Sequence, residues 1–203
     1  MLLVGLTGGL ASGKSTVAGM LARRGAIIVD ADELSRRAVA PGTPGLAQIV
    51  ESFGRGVLDA GGDLDRQALA GIVFADETRR RLLESIVHPE VFRLLGEVVE
   101  EHRNTDAVVV FDAPLIVETG FDRACDVVVV VSSPAVAQVT RVARARGMSE
   151  EEARSRIASQ ASAAFRESRA DVVLRNDGTL EDLERRVGAL WEELRARAVR
   201  SHT

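Results

Sequence analysis

Three groups of residues in this chain have the types and spacing to work on a phosphate. The first is Gly8-Gly9-Leu10-Ala11-Ser12-Gly13-Lys14-Ser15, which fits G-x-x-x-x-G-K-[ST] without a mismatch. Gly8 and Gly13 let the backbone curl so that successive N–H groups point inward at a phosphate chain. A helix that starts here adds its positive end beneath the same anion. Lys14 can reach the β/γ-phosphates and the Ser15 hydroxyl can ligate Mg²⁺. The triphosphate site is therefore assigned to Gly8, Gly9, Leu10, Ala11, Ser12, Gly13, Lys14, Ser15 and Thr16. Composition favours this over a plain glycine turn. Of 26 basic residues, Lys14 is the single lysine, kept where a compact ammonium serves better than a planar guanidinium.

The second group is carboxylates. Asp30-Ala31-Asp32 follows an apolar run and can orient an acceptor hydroxyl or touch the water shell of a metal, with Asp32 the favoured catalytic residue. Asp30 has an equally good reading as a helix N-cap. Asp112 ends the run Val108-Val109-Val110-Phe111, which has the form of a Walker B strand whose last carboxylate sits near Mg²⁺. The third group is arginines: Arg141, Arg144 and Arg146 lie on one predicted helix, and Arg141 and Arg144 share a face of it. Cations so placed can neutralise a moving phosphoryl group, with Arg141 the favoured catalytic residue. The alternative for this segment is a solvated face of mixed charge, since Glu150, Glu151 and Glu152 are close by.

These groups need elements to hold them. Leu2–Leu6, Ala26–Val29, Ala107–Phe111, Val127–Val131 and Ala170–Leu174 are short apolar runs of the kind that form strands buried on both faces. Helical patterns separate them, which predicts an α/β fold: a five-stranded parallel sheet flanked by helices, of the P-loop NTPase type. In such a sheet, residues just past the carboxyl ends of strands face the ligand crevice. From Leu46 to Arg103 the pattern is helical throughout, predicting a helical insertion that binds the acceptor. Within it, Pro89 after His88 is expected to break or restart a helix. Ser149 and Glu152 form a capping box that opens the second helix of an arginine-rich lid. The expected organisation is a nucleotide-binding core of residues 1–32, 104–135 and 168–203, an acceptor-binding subdomain of 33–103, and a lid of 136–167. A last helix from about Thr179 packs Trp191 into the core.

Bulk properties narrow the partners. The chain has 203 residues, is 46% apolar and carries a net charge of −4, so no broad basic surface is available for nucleic acid. No apolar run approaches the ~20 residues of a membrane span. The single cysteine, Cys125, cannot form an internal disulfide, and its expected role is that of a small buried hydrophobe. With no basic signal segment evident, a cytoplasmic protein is expected, monomeric or weakly self-associating.

The chain resembles the dephospho-CoA kinases from Leu3 to Gly178. The shared features are Leu6-Thr7-Gly8-Gly9 with the P-loop, Asp30-Ala31-Asp32, Pro41-Gly42, His88-Pro89, Asp112-Ala113-Pro114-Leu115 with Glu118, Arg156-Ile157 with Gln160, Ala170-Asp171-Val172-Val173 and Asn176-Asp177-Gly178. The resemblance implies ATP-dependent, Mg²⁺-assisted phosphorylation of the ribose 3′-hydroxyl of dephospho-coenzyme A. It implies Asp32 as general base or orienter, and Lys14 and Arg141 as stabilisers of the transferred group. It further implies Ser15 and Asp112 near the metal, Asn176 near the adenine, and His88, Pro114 and Leu115 on the acceptor side. Where many relatives have a second basic lid residue, this chain has Ala145, flanked by Arg144 and Arg146, and at Arg166 the family often has lysine. Shikimate kinases are similar in the P-loop and the Asp-x-Asp. Their glycine-rich loop after the third strand is replaced here by Asp112-Ala113-Pro114-Leu115. A nucleotide sensor that hydrolyses ATP slowly or not at all is a further alternative, though a pure sensor needs neither Asp32 nor the lid arginines.

Overall fold

Seven consecutive buried residues, Leu2–Gly8, form β1 at the centre of a five-stranded sheet of order β2-β3-β1-β4-β5. The computed structural model describes residues 1–158 and 160–200, and at 145 and 146 the backbone alone. β1 pairs in parallel with β3 (Val108–Asp112) and β4 (Val127–Ser132), and β4 with β5 (Val172–Arg175). The apolar runs of β1, β3 and β4 are covered on both faces, whereas β2 (Ile27–Asp30) and β5, at the edges, are partly exposed. The chain leaves β1 for β2 and β3 on one side and returns to β4 and β5 on the other. Strand order thus reverses at the carboxyl end of β1, where an open α/β sheet forms its crevice. The P-loop occupies that position.

The chain divides into two compact units, Met1–Val29 with His102–Thr203, and Asp30–Glu101. In the first unit, α1 (Lys14–Ala22) and α9 (Leu180–Arg200) cover one face of the sheet. Val17, Leu21, Leu183, Val187, Leu190, Trp191 and Leu194 join Leu2, Val4 and Leu6 in one core, with Trp191 only 8% exposed, as expected of a packing residue. Thr179 and Asp182 cap the start of α9 by exchanging hydrogen bonds between side chain and backbone. After β4, α6 (Ala135–Arg146) ends at Gly147 in the left-handed conformation, and α7 (Glu150–Ala158) and the short α8 (Ala163–Glu167) follow. The Ser149–Glu152 capping box is formed, each residue's backbone N–H donating to the other's side chain.

The second unit is helical: α2 (Ala31–Ala38), α3 (Pro44–Phe53), α4 (Arg66–Phe74) and α5 (Glu77–His102). Their facing apolar residues, including Leu34, Leu46, Ile49, Leu69, Ile86, Leu94 and Leu95, are buried. One expectation fails here. Pro89 lies inside α5, which runs unbroken over 26 residues. Proline in a helix interior costs about 3 kcal/mol through one lost hydrogen bond and a steric clash. The burial of Ile86 before it and Val91, Leu94 and Leu95 after it offsets that cost, since each buried side chain contributes about 1.5–3 kcal/mol. Among the described residues no helix is long and apolar enough to cross a membrane.

Candidate active site

Between β1 and α1 the P-loop turns back on itself, with Ser12 N–H donating to Gly9 O at 3.0 Å. Gly13 stands at φ 98° as the N-cap of α1, and a Cβ there would lie 2.2 Å from the Asn176 amide nitrogen. Both the backbone conformation and the space demand glycine. Gly13→Ala is therefore expected to weaken ATP binding at least about tenfold by calorimetry and to lower the melting temperature. Affinity within threefold of the unaltered protein would contradict this geometry. Across the loop, Lys14 forms a short ion pair with Asp112 Oδ1, and the two side chains are only 22% and 10% exposed. The P-loop cation and the Walker B carboxylate thus share one small polar site at the ends of β1 and β3. Ser15 and Thr16, in the first turn of α1, are exposed, and the Ser12 hydroxyl oxygen is buried with no hydrogen-bond partner among the described residues.

Side chains distant in sequence hold the loop in shape. The buried Asn176 donates its amide to Ser12 O at 2.8 Å, and Gln160 Oε1 accepts from Leu10 N–H at 2.8 Å. Thr7, fully buried, donates to Pro114 O at 2.9 Å, which fixes the turn after Asp112 against β1. Arg166, 5% exposed, pairs with Glu118 at 3.3 Å and packs against Gly9. Asn176 also lines, with Gly13, Thr16, Arg141, Gly178 and Leu180, an open cleft beside the P-loop. Exposed Leu180 gives that cleft an apolar wall.

From the first turns of α6, Arg141 reaches back to the loop. Its guanidinium donates to Ala11 O at 3.3 Å and to Ser133 Oγ at 3.1 Å. Arg144, one turn further on, is exposed and has no ion-pair or hydrogen-bond partner among the described residues. The Arg146 side chain lies outside the described residues. Leu115, after Asp112, is half-exposed.

In the second unit the two aspartates at the end of β2 and just beyond it part company. Asp30 Oδ1 accepts from Asp32 N–H at 2.7 Å and Glu33 N–H at 3.3 Å, so Asp30 is the N-cap of α2. The exposed Asp32 carboxylate has no such partner among the described residues and is left available to a ligand. His88 is half-buried in α5, its ring 6.2 Å from that of Phe92.

Thr7, Gln160 and Arg166 carry structural tasks at the loop that their places in the sequence do not announce. Each acts on backbone or side chains 48 to 150 residues away. Cys125 is no part of the site. Burial, aided by nearby Asp126, Asp122 and Asp171, pushes its thiol up to about 12, so it stays protonated and unreactive at neutral pH.

The chain is similar to known proteins along nearly all of its length. The dephospho-CoA kinase family model matches residues 2–182. The dephospho-CoA kinase of Streptomyces avermitilis is 49% identical over 198 residues, covering 98% of this chain and 96% of the relative. Among solved structures, TT1252 from Thermus thermophilus superposes with a TM-score of 0.79 at 39% identity, over 95% of this chain and 97% of that one. The dephospho-CoA kinase of Campylobacter jejuni gives a TM-score of 0.74 at 22% identity over 96% and 97% of the two chains, a likeness of fold.

Proposed function

Because this chain belongs to the dephospho-CoA kinase family, we propose that it transfers the γ-phosphoryl group of ATP to the ribose 3′-hydroxyl of dephospho-coenzyme A, giving coenzyme A and ADP, the last step of CoA biosynthesis. The observation that carries this reading is the family match over residues 2–182, which contains the whole preformed P-loop. In this reading residues 1–32, 104–135 and 168–203 bind the nucleotide, 33–103 bind the CoA side with His88, Pro114 and Leu115 as acceptor contacts, and 136–167 form the lid.

Phosphoryl transfer passes through a loose transition state with charge spread over the moving group, so the protein mainly positions reactants and neutralises charge. The P-loop N–H groups and Lys14 hold the β/γ-phosphates, which requires the Lys14–Asp112 pair to open or share its proton donor with the phosphate. Asp32 holds the acceptor hydroxyl by accepting its hydrogen bond and takes its proton as the new bond forms. Among the described residues no cluster of three or more His, Cys, Asp or Glu stands ready to enclose a metal. The hydroxyl of Ser15 and the carboxylate of Asp112 are hard oxygen donors. They would suit a Mg²⁺ that arrives with ATP. Held by these two oxygens, a Mg²⁺ would supply charge neutralisation during the transfer.

Arg141 is the proposed lid cation. Its contacts with Ala11 O and Ser133 Oγ keep it at the edge of the loop, and among the described residues no carboxylate pairs with it. Arg141→Ala is expected to lower kcat by about 10²-fold or more while changing KM for dephospho-CoA little. A change confined to KM would make Arg141 a ground-state binder and move the catalytic role to Arg144 or Arg146. The function itself is tested by coupled ADP release with dephospho-CoA, with shikimate and with no acceptor. Release that depends on dephospho-CoA is the expected result. Release that depends on shikimate would show a shikimate kinase, and none above the acceptor-free rate would show a nucleotide sensor.

A further inference from the structure

We infer that Arg166 is a further phosphate-contacting residue, set to hold the γ-phosphate at the Gly9–Leu10 edge of the P-loop. The inference rests on the kinase reading for the identity of the ligand, and on three observations for the site. The Arg166 residue is 5% exposed, and its guanidinium carries five N–H donors. Among the described residues it makes one hydrogen bond, from one terminal nitrogen to Glu118 Oε1 at 3.3 Å. The other terminal nitrogen abuts the phosphate loop: a Cβ placed on Gly9 would lie 2.7 Å from it. A side chain at position 9 would push this guanidinium aside.

A largely buried cation that has donors to spare beyond one carboxylate is well placed to take a second anion. The single carboxylate present fixes the side chain's direction. Which phosphate would be that second anion follows from the surroundings. Glu118 lies on the segment that leaves Asp112, and Asp112 is where the Lys14 ammonium now points. Lys14 serves the β/γ end of the triphosphate. Arg166 thus stands at the Gly9 end of the loop, whereas the cleft lined by Asn176 and Gly178 borders Gly13 at its other end. Gln160, six residues earlier, accepts from Leu10 N–H and holds the same edge of the loop in register.

A contact to the γ-phosphate predicts discrimination between ATP and ADP, which a purely structural ion pair does not. The test is calorimetric binding of ADP and of the non-hydrolysable β,γ-imido analogue of ATP, each with Mg²⁺, together with turnover. Arg166→Met is combined with Glu118→Gln so that no carboxylate is left buried and unpaired. The double variant is expected to bind the ATP analogue about tenfold or more weakly, to bind ADP within about twofold of the unaltered protein, and to lose about 10²-fold in kcat. Arg166→Lys, which keeps the charge without the planar fork, is expected to hold ADP affinity and lose about threefold for the analogue. Equal losses for both nucleotides, or no loss for either, would overturn the inference. If the double variant does not fold, the Arg166→Lys pair of affinities decides by the same criterion. The binding arm uses no acceptor, so failure of the unaltered protein to phosphorylate dephospho-CoA would count against the kinase reading alone.

Discussion

Replacing Lys14 by alanine is expected to leave the fold in place and to lower turnover by about 10³-fold or more. The fold survives because Lys14 contributes no core contact. Its neighbours in α1, Val17, Ala18, Met20 and Leu21, carry the packing. The chemistry does not survive because Lys14 puts a compact ammonium at the β/γ end of the P-loop, in a site where water is partly excluded and charge is felt more strongly. The substitution also removes the ammonium with which Asp112 pairs. At 10% exposure that carboxylate will tolerate the loss poorly, and some fall in melting temperature is expected along with the loss of rate. Lys14→Arg separates the two effects. It restores a partner for Asp112 but presents a planar fork in place of a compact ammonium, so stability should recover while most of the activity does not. Turnover near that of the unaltered protein in folded Lys14→Ala would overturn the P-loop assignment.

The second large effect is expected at Asp32. Asp32→Asn keeps the size of the side chain and one hydrogen-bonding oxygen, but removes the charge and the proton acceptor. A turnover loss of about 10²-fold or more is expected, with ATP binding within a few-fold of the unaltered protein. Asp30→Asn is the internal control. Asp30 accepts two backbone hydrogen bonds at the start of α2, and asparagine is nearly as good an N-cap as aspartate, so activity should remain within a few-fold. Calorimetry for ATP and the coupled assay for transfer, run on both variants, give four numbers. Normal turnover in Asp32→Asn with a dead Asp30→Asn would show that the wrong carboxylate has been assigned. Normal turnover in both would make the pair structural.

The sheet and the P-loop were legible because their signals are contiguous. A strand covered on both faces reads as an unbroken apolar run, and β1, β3 and β4 are such strands. The Ser149–Glu152 cap is likewise local and could be read from spacing alone. Sequence favoured Asp32 as the catalytic carboxylate but left Asp30 open, since a carboxylate at a strand end can cap or catalyse. Two backbone N–H groups pointing at Asp30 separate them. The expected break at Pro89 failed because a local rule gave way to tertiary burial on both sides of the proline. The tethers of the P-loop were out of reach for a different reason. Leu10 with Gln160, Ser12 with Asn176 and Glu118 with Arg166 are joined only by folding. An asparagine in a turn or an arginine in a short helix carries no periodicity that would reveal such a contact.

The central claim is the transfer of a phosphoryl group to one hydroxyl of one acceptor. It is tested most directly by ³¹P NMR of the mixture after ATP, Mg²⁺ and dephospho-CoA have been incubated with the unaltered protein. A new phosphomonoester signal coupled to the ribose 3′-proton, rising in step with ADP and absent from an Asp32→Asn reaction over the same time, is the predicted result. ATP consumed to ADP and inorganic phosphate with no such signal, or a phosphomonoester on a different hydroxyl, would contradict it.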